Sequence, residues 1–300
     1  ESNEIKKNPW NIKFLSMFHM ANDSHLFFNE PSNHHVPLYE AKLIHHYDQR
    51  WSTYCDDGSS REVTLIEKQN KNFEPNPRYW VDINEVQARL KSHEWNRQWL
   101  MGWRDVTNTT NERSMICSIV PLAGFNHKFP LILFNQATSK DAINSALLMG
   151  NLSSLPYDFS VRQKMGGTSL TYFILKQTPV IPPDAYSQED IDFIIPRVLE
   201  LTFTNQSISS WAREIGFDGQ PFSFDLEHRH LLRAELDAFY AHLYRFTRDE
   251  LRYILDPKDL MGNDYPSETF RVLKKNEIRK FGEYRTQRLV LDAWDRLIAN

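Results

Sequence analysis

The chain is poor in cysteine, with only Cys55 and Cys117 in 300 residues. Two thiols cannot build a disulfide framework, so a reducing, cytoplasmic setting is expected. Long hydrophobic runs are missing too. None approaches the roughly 20 residues that span a bilayer, and no signal peptide opens the chain, so no membrane partner is expected. Excess positive charge is also lacking. The formal net charge is −4, which argues against a uniformly basic nucleic-acid binder. No glycine-rich cofactor loop follows an early strand. The sequence begins with Glu1 rather than Met, and a piece of a longer protein is expected.

What is present is ordinary for a globular chain: 41% hydrophobic and 25% charged residues, enough for one large domain or two smaller ones. Aromatics are plentiful at 13%, which suits a large core or stacking surfaces. The charge is unevenly spread. From Lys42 to Pro183 there are sixteen Lys and Arg against thirteen Asp and Glu; from Asp184 onward there are sixteen against twenty-one. A mildly basic middle therefore lies between acidic flanks, which is either a functional surface or fluctuation among solvated faces.

The stretch Arg162 to Pro183 organises the reading. Arg162 and Lys164 come first, then Gly166, Gly167 and Thr168, an apolar run from Leu170 to Leu175, and the prolines Pro179, Pro182 and Pro183. Adjacent glycines suit a turn with positive φ. Tyr172, Phe173 and Ile174 favour a strand after it, and the prolines forbid a central strand or helix interior beyond Thr178. An ordinary hairpin and linker would read the same way.

Elsewhere the pattern predicts strands at Val63–Ile66, Tyr79–Ile83, Ser114–Val120 and Phe129–Phe134. Helices are predicted at Asn84–Leu90, capped by Asn84 or Asp82, and at Asp141–Leu152. Between them, Arg104 precedes the polar run Thr107–Asn111, followed by Glu112 and Arg113. Asn, Thr and Arg are side chains that read base edges or hold phosphates, and they are equally at home in plain loops. After Pro183 the periodicity turns helical. Ser187 caps a helix that Pro196 should kink or divide, Ser209–Ile215 is a short helix, and Leu231–Phe246 carries an apolar stripe. Thr247 and Glu250 form a capping box, and Ser267–Ile298 holds two helices broken near Gly282.

The quoted 162–183 stretch resembles the end of the target-recognition region of large N6-adenine DNA methyltransferases, the type IIG restriction–modification enzymes and related phage-defence methylases. Asn22–Phe27, Pro37–Tyr54, Trp99–Pro121, Arg233–Asp256 and Gly282–Leu297 resemble the same family in order, over nearly the whole chain. That resemblance implies an α+β chain: a lead-in at residues 1–30, a mixed DNA target-recognition domain at 31–183 and a helical domain at 184–300. The family's Asn-Pro-Pro-aromatic motif is absent. Asn8-Pro9-Trp10 and Asn76-Pro77-Arg78-Tyr79 lack the second proline, so the resemblance implies that catalysis and S-adenosylmethionine belong to a methyltransferase domain elsewhere in the parent enzyme, with no cofactor, catalytic group or metal in this chain. The implied partner is double-stranded DNA. The candidate contacts are Arg104, Asn108, Thr109, Arg113, Arg162, Lys164, Gly166, Gly167 and Thr168. Two other classes stay open. Asp23, Glu40 and Lys42 match the Asp…Glu-x-Lys pattern of Mg²⁺-dependent nucleases, and the helical half can serve as a protein-interaction module.

Overall fold

The computed structural model describes residues 8–135, 138–266 and 268–298. The first seven residues of the lead-in and Ser267, the expected start of the last helical pair, lie outside this set. Among the described residues ten strands run in chain order: β1 Ile12–Leu15, β2 Phe27–Phe28, β3 His35–Tyr39, β4 Ser52–Tyr54, β5 Ser60–Glu62, β6 Tyr79–Asp82, β7 Trp99–Trp103, β8 Cys117–Pro121, β9 Gly124–Phe125 and β10 Leu131–Phe134. The α-helices are α1 Leu65–Gln69, α2 Ile83–Lys91, α3 Asp141–Ser153, α4 Leu155–Lys164, α5 Tyr172–Leu175, α6 Gln188–Thr202, α7 Ser209–Ile215, α8 Leu226–Leu243, α9 Arg248–Leu255, α10 Pro257–Met261, α11 Arg271–Phe281 and α12 Arg285–Leu297. The chain is thus α+β, strand-rich in its first half and helical in its second.

Two compact units interleave along the chain instead of following one another across Pro183. One holds the described parts of residues 1–104, 117–148 and 182–223; the other holds those of 105–116, 149–181 and 224–300. All ten strands belong to the first unit. Its main sheet has the order β1-β10-β7-β8, antiparallel throughout. A second sheet runs β2-β6-β3-β9, where β3 and β9 pair in parallel. The Trp99–Trp103 and Leu131–Phe134 strands are buried along their whole length, which is why they read as continuous apolar runs without alternation. Gly102 is required by close approach: a Cβ there would sit 2.6 Å from the Pro130 carbonyl oxygen and 2.5 Å from the Phe129 ring.

Charge is also built into this unit's interior. Arg50 is fully buried. It donates to the carbonyls of Asn70 (2.8 Å), Lys68 (2.8 Å) and Thr204 (3.0 Å), while Lys68 pairs with Asp48 at 2.5 Å. Val63 and Thr64 do not extend a strand as expected. Thr64 caps α1 in a capping box with Glu67, which turns Leu65 and Ile66 into helix. Pro196 does not divide its helix: α6 runs from Gln188 to Thr202 as one element, losing only the proline's own N–H bond.

The second unit is helical. Helices α8 and α12 pack along each other, burying Ala234, Ala238, Ala241, Val290 and Trp294 in one core with Leu251 of α9. Small residues on α8 let the two backbones approach. Thr247 and Glu250 form the expected capping box, and Gly282 closes α11 with φ 78°, the left-handed geometry that glycine adopts without a Cβ penalty.

Candidate nucleic-acid interface

Two stretches that lie far apart in sequence meet in the second unit. The polar loop after Asp105 pairs with the segment after Gly167. The Thr107 amide donates to the Thr168 carbonyl at 3.1 Å, the Leu170 amide donates to the Asp105 carbonyl at 2.7 Å, and Val106 and Ser169 form an antiparallel bridge. Within the loop, the Thr110 amide donates to Asn108 Oδ1 at 2.9 Å and the Asn111 amide to the Asn108 carbonyl at 3.1 Å. Asn108 thus folds the loop over itself, as asparagine does in tight turns.

Arg162, near the end of α4, fixes this loop from beneath. Its Nη1 donates to the carbonyls of Thr109 (2.7 Å) and Thr269 (2.9 Å). Its Nη2 donates to those of Asn111 (3.0 Å) and Glu112 (3.0 Å), and to Asp158 Oδ2 at 3.4 Å. The guanidinium also lies 4.6 Å from the centre of the Phe270 ring. One planar fork therefore gathers the loop and the lead into α11, a geometry that lysine's single ammonium cannot reproduce. Burial pushes the Arg162 pKa down, opposed by Asp158.

Asp158 lies one helical turn earlier and is fully buried. It accepts from the amides of Ser114 (3.1 Å) and Met115 (2.9 Å) and from Arg113 Nε (3.2 Å). Arg113 also donates to the Ser153 carbonyl. Arg113 and Arg162, both expected to contact DNA, are thus buried and bound to the protein's own oxygens. Their work here is to hold the loop.

The outward side has a different composition. Lys164, Gly166, Gly167 and Thr168 are exposed, with Gln163, Thr110 and Asn111 beside them; Asn108 and Thr109 are half-exposed. A cleft of about 360 Å³ opens between Thr109, Thr110, Arg162, Gln163, Thr269 and Arg271. Two local expectations are corrected. Neither Gly166 nor Gly167 has positive φ, and a Cβ on either would meet open space, so neither exposed position requires glycine, although the chain bends at Gly167. Leu170–Leu175 is not a buried strand. Its last four residues are the single helical turn α5, with Tyr172 49% and Phe173 70% exposed. A four-residue apolar run does not distinguish strand from helix, and Leu170 and Leu175 alone turn inward.

Arg104 closes the strand-rich unit. It is half-buried, burial lowers its pKa, and its Nε has no hydrogen-bond partner among the described residues. The Asp…Glu-x-Lys residues are engaged separately. Asp23 accepts from the His19 amide at 2.7 Å and pairs with Arg89 at 3.4 Å. Glu40 accepts from the Tyr54 hydroxyl, over whose ring Lys42 stands at 4.3 Å. Among the described residues no group of three or more His, Cys, Asp or Glu is arranged to hold a metal ion, and no helix is long and apolar enough to cross a membrane.

No family model, curated protein or solved structure matches the chain. Asp158 is the site residue that sequence reading missed. Its only local signal is the i,i+4 spacing to Arg162, whereas its decisive partners lie more than forty residues away.

Proposed function

We propose that the chain is the sequence-specific DNA-recognition part of an N6-adenine DNA methyltransferase of the restriction–modification kind. It would position double-stranded DNA for a methyltransferase domain that carries S-adenosylmethionine. The observation that supports this most is the meeting of the Thr107–Glu112 loop with the Lys164–Thr168 segment on one exposed surface, over a buried Arg162–Asp158–Arg113 network. A rigid base beneath a polar loop is what base reading requires, because a contact pays off only if its side chain is already in place. In this mechanism Lys164, Thr168 and the open backbone at Gly166-Gly167 meet phosphates. Asn108 and Thr109 reach base edges.

The test is a duplex-DNA titration of the chain at several salt concentrations, after selection of a preferred sequence from a random pool. Lys164→Ala should weaken binding to all sequences alike and lower the log–log salt slope by about 0.9. Asn108→Ala should cost roughly 1–3 kcal/mol on the selected site and relax choice at one position. Binding that ignores both changes would overturn the assignment. A second reading, a protein-docking module, is favoured by the exposed Tyr172-Phe173 pair. It predicts that Phe173→Ser abolishes a protein association and leaves DNA affinity alone.

A further inference from the structure

Helix α11 reads Arg-Val-Leu-Lys-Lys-Asn-Glu-Ile-Arg-Lys-Phe. It carries five cations and one acid inside the half of the chain whose overall charge is negative. The acid, Glu277, faces inward, where it accepts from the Thr286 amide at 2.7 Å and the Thr286 hydroxyl at 2.6 Å. Lys274 is neutralised by Asp256 at 2.8 Å and Glu268 at 3.4 Å. Arg271, Lys275 and Arg279 are exposed, and none has a carboxylate partner among the described residues. Spaced i, i+4, i+8, they lie within about 80° of one another on the helix surface and span about 12 Å of its axis.

Helix stability does not account for this stripe. Like charges four residues apart repel, and Arg271 stands at the helix's first position, where the macrodipole disfavours a cation. The stripe instead adjoins the loop. Asn276 Nδ2 donates to Glu112 Oε1 at 2.6 Å, the Thr269 carbonyl is held by Arg162, and Arg271 lines the same cleft as Thr109 and Thr110.

We propose that the outward face of α11, through Arg271, Lys275 and Arg279, is a phosphate track for double-stranded DNA that continues the polar-loop surface. This rests on the DNA-recognition reading. Projected on the duplex axis, the 12 Å stripe corresponds to about three to four phosphates of one strand at roughly 3.4 Å of rise each. Its side chains carry no sequence information; they set register and orientation, while the loop reads bases. The mostly acidic balance of the helical half therefore conceals a local cationic face.

The test uses the full 300-residue chain and duplex DNA of random sequence, titrated between 50 and 200 mM salt. Four proteins are compared: wild type, Lys164→Ala, the triple variant Arg271→Ala/Lys275→Ala/Arg279→Ala, and the charge-keeping Arg271→Lys/Lys275→Arg/Arg279→Lys. The triple variant should lower the log–log slope by about 2.7, so that the salt-induced loss of affinity across that range shrinks about 40-fold. The charge-keeping variant should restore the slope. Melting temperatures should stay near wild type, because the three side chains are exposed. A triple variant that binds like wild type, beside a weakened Lys164→Ala, overturns the track and leaves the DNA reading standing. Wild-type binding with no salt dependence overturns both. Loss of polyglutamate binding with duplex affinity intact would assign the face to an acidic protein partner and overturn the proposal.

Discussion

Replacing Arg162 with methionine tests whether this arginine is architecture or a phosphate ligand. Methionine keeps much of the stem's volume and removes the fork. Four carbonyls, those of Thr109, Thr269, Asn111 and Glu112, lose a charged donor, and Asp158 loses one of its two cations. Water can reach the exposed Asn111 and Glu112, so roughly 1 kcal/mol per carbonyl is a fair weight. The lost ring contact with Phe270 adds about 0.5–1 kcal/mol. The total is about 4–5 kcal/mol, within the range for breaking one side of a buried ion pair. Arg162→Lys keeps the charge and loses the fork; about 2–3 kcal/mol is expected. The assay is urea denaturation of wild type and both variants, with hydrogen exchange at the Thr110 and Asn111 amides read in parallel. Exchange in Arg162→Met should accelerate most in that loop. A loss under about 1 kcal/mol, with loop protection unchanged, would refute the structural role and return Arg162 to the list of free cations.

Two further predictions concern packing and pH. Gly102→Ala should destabilise the strand-rich unit by about 2 kcal/mol or more, since the new methyl meets the Pro130 carbonyl and cannot be relieved by a side-chain rotation; an unchanged melting temperature would contradict the close approach. Asp237 and His230, both on α8, should give opposite pH signatures. Burial raises Asp237 to about 6, partly offset by Arg113 and the Leu155 amide. Because the folded value exceeds the unfolded one, its stabilising contribution is complete below about pH 4 and is lost as pH rises through 6. Relative to wild type, Asp237→Asn should therefore gain on the order of 2–3 kcal/mol between pH 4 and pH 7. Burial, with Arg233, lowers His230 to about 4, so its contribution is present above pH 6.5 and is lost as pH falls toward 4. His230→Gln should gain relative to wild type in that acid window, and denaturation curves at pH 4, 5, 6 and 7 separate the two slopes.

Much of the fold was legible because its signals are local. Asp82 before α2, Ser187 with Asp190, Thr247 with Glu250 and Gly282 all act within a few residues, and the Leu131–Phe134 run has few alternatives once flanked by turns. The candidate site was half legible. Residue type marked out Asn108, Thr109, Lys164 and Thr168 as polar surface, and they are exposed or half-exposed near one another. Residue type also marked out Arg113 and Arg162, whose roles are set by oxygens 45 and 53 residues away; nothing in the local sequence separates a buried arginine from an exposed one. The interleaving of the two units has no local signal at all, since it is written in long-range packing. The cationic face of α11 was hidden by averaging charge over more than a hundred residues.

The most direct test of the central claim is hydrogen exchange of the whole chain with and without a saturating duplex of the selected sequence. New protection is expected only at amides of residues 107–112, 164–171 and the exposed side of α11, with the Asp158-bound amides of Ser114 and Met115 protected in both states. Protection elsewhere, at β2 or α6 for instance, with those three segments unchanged, would contradict it.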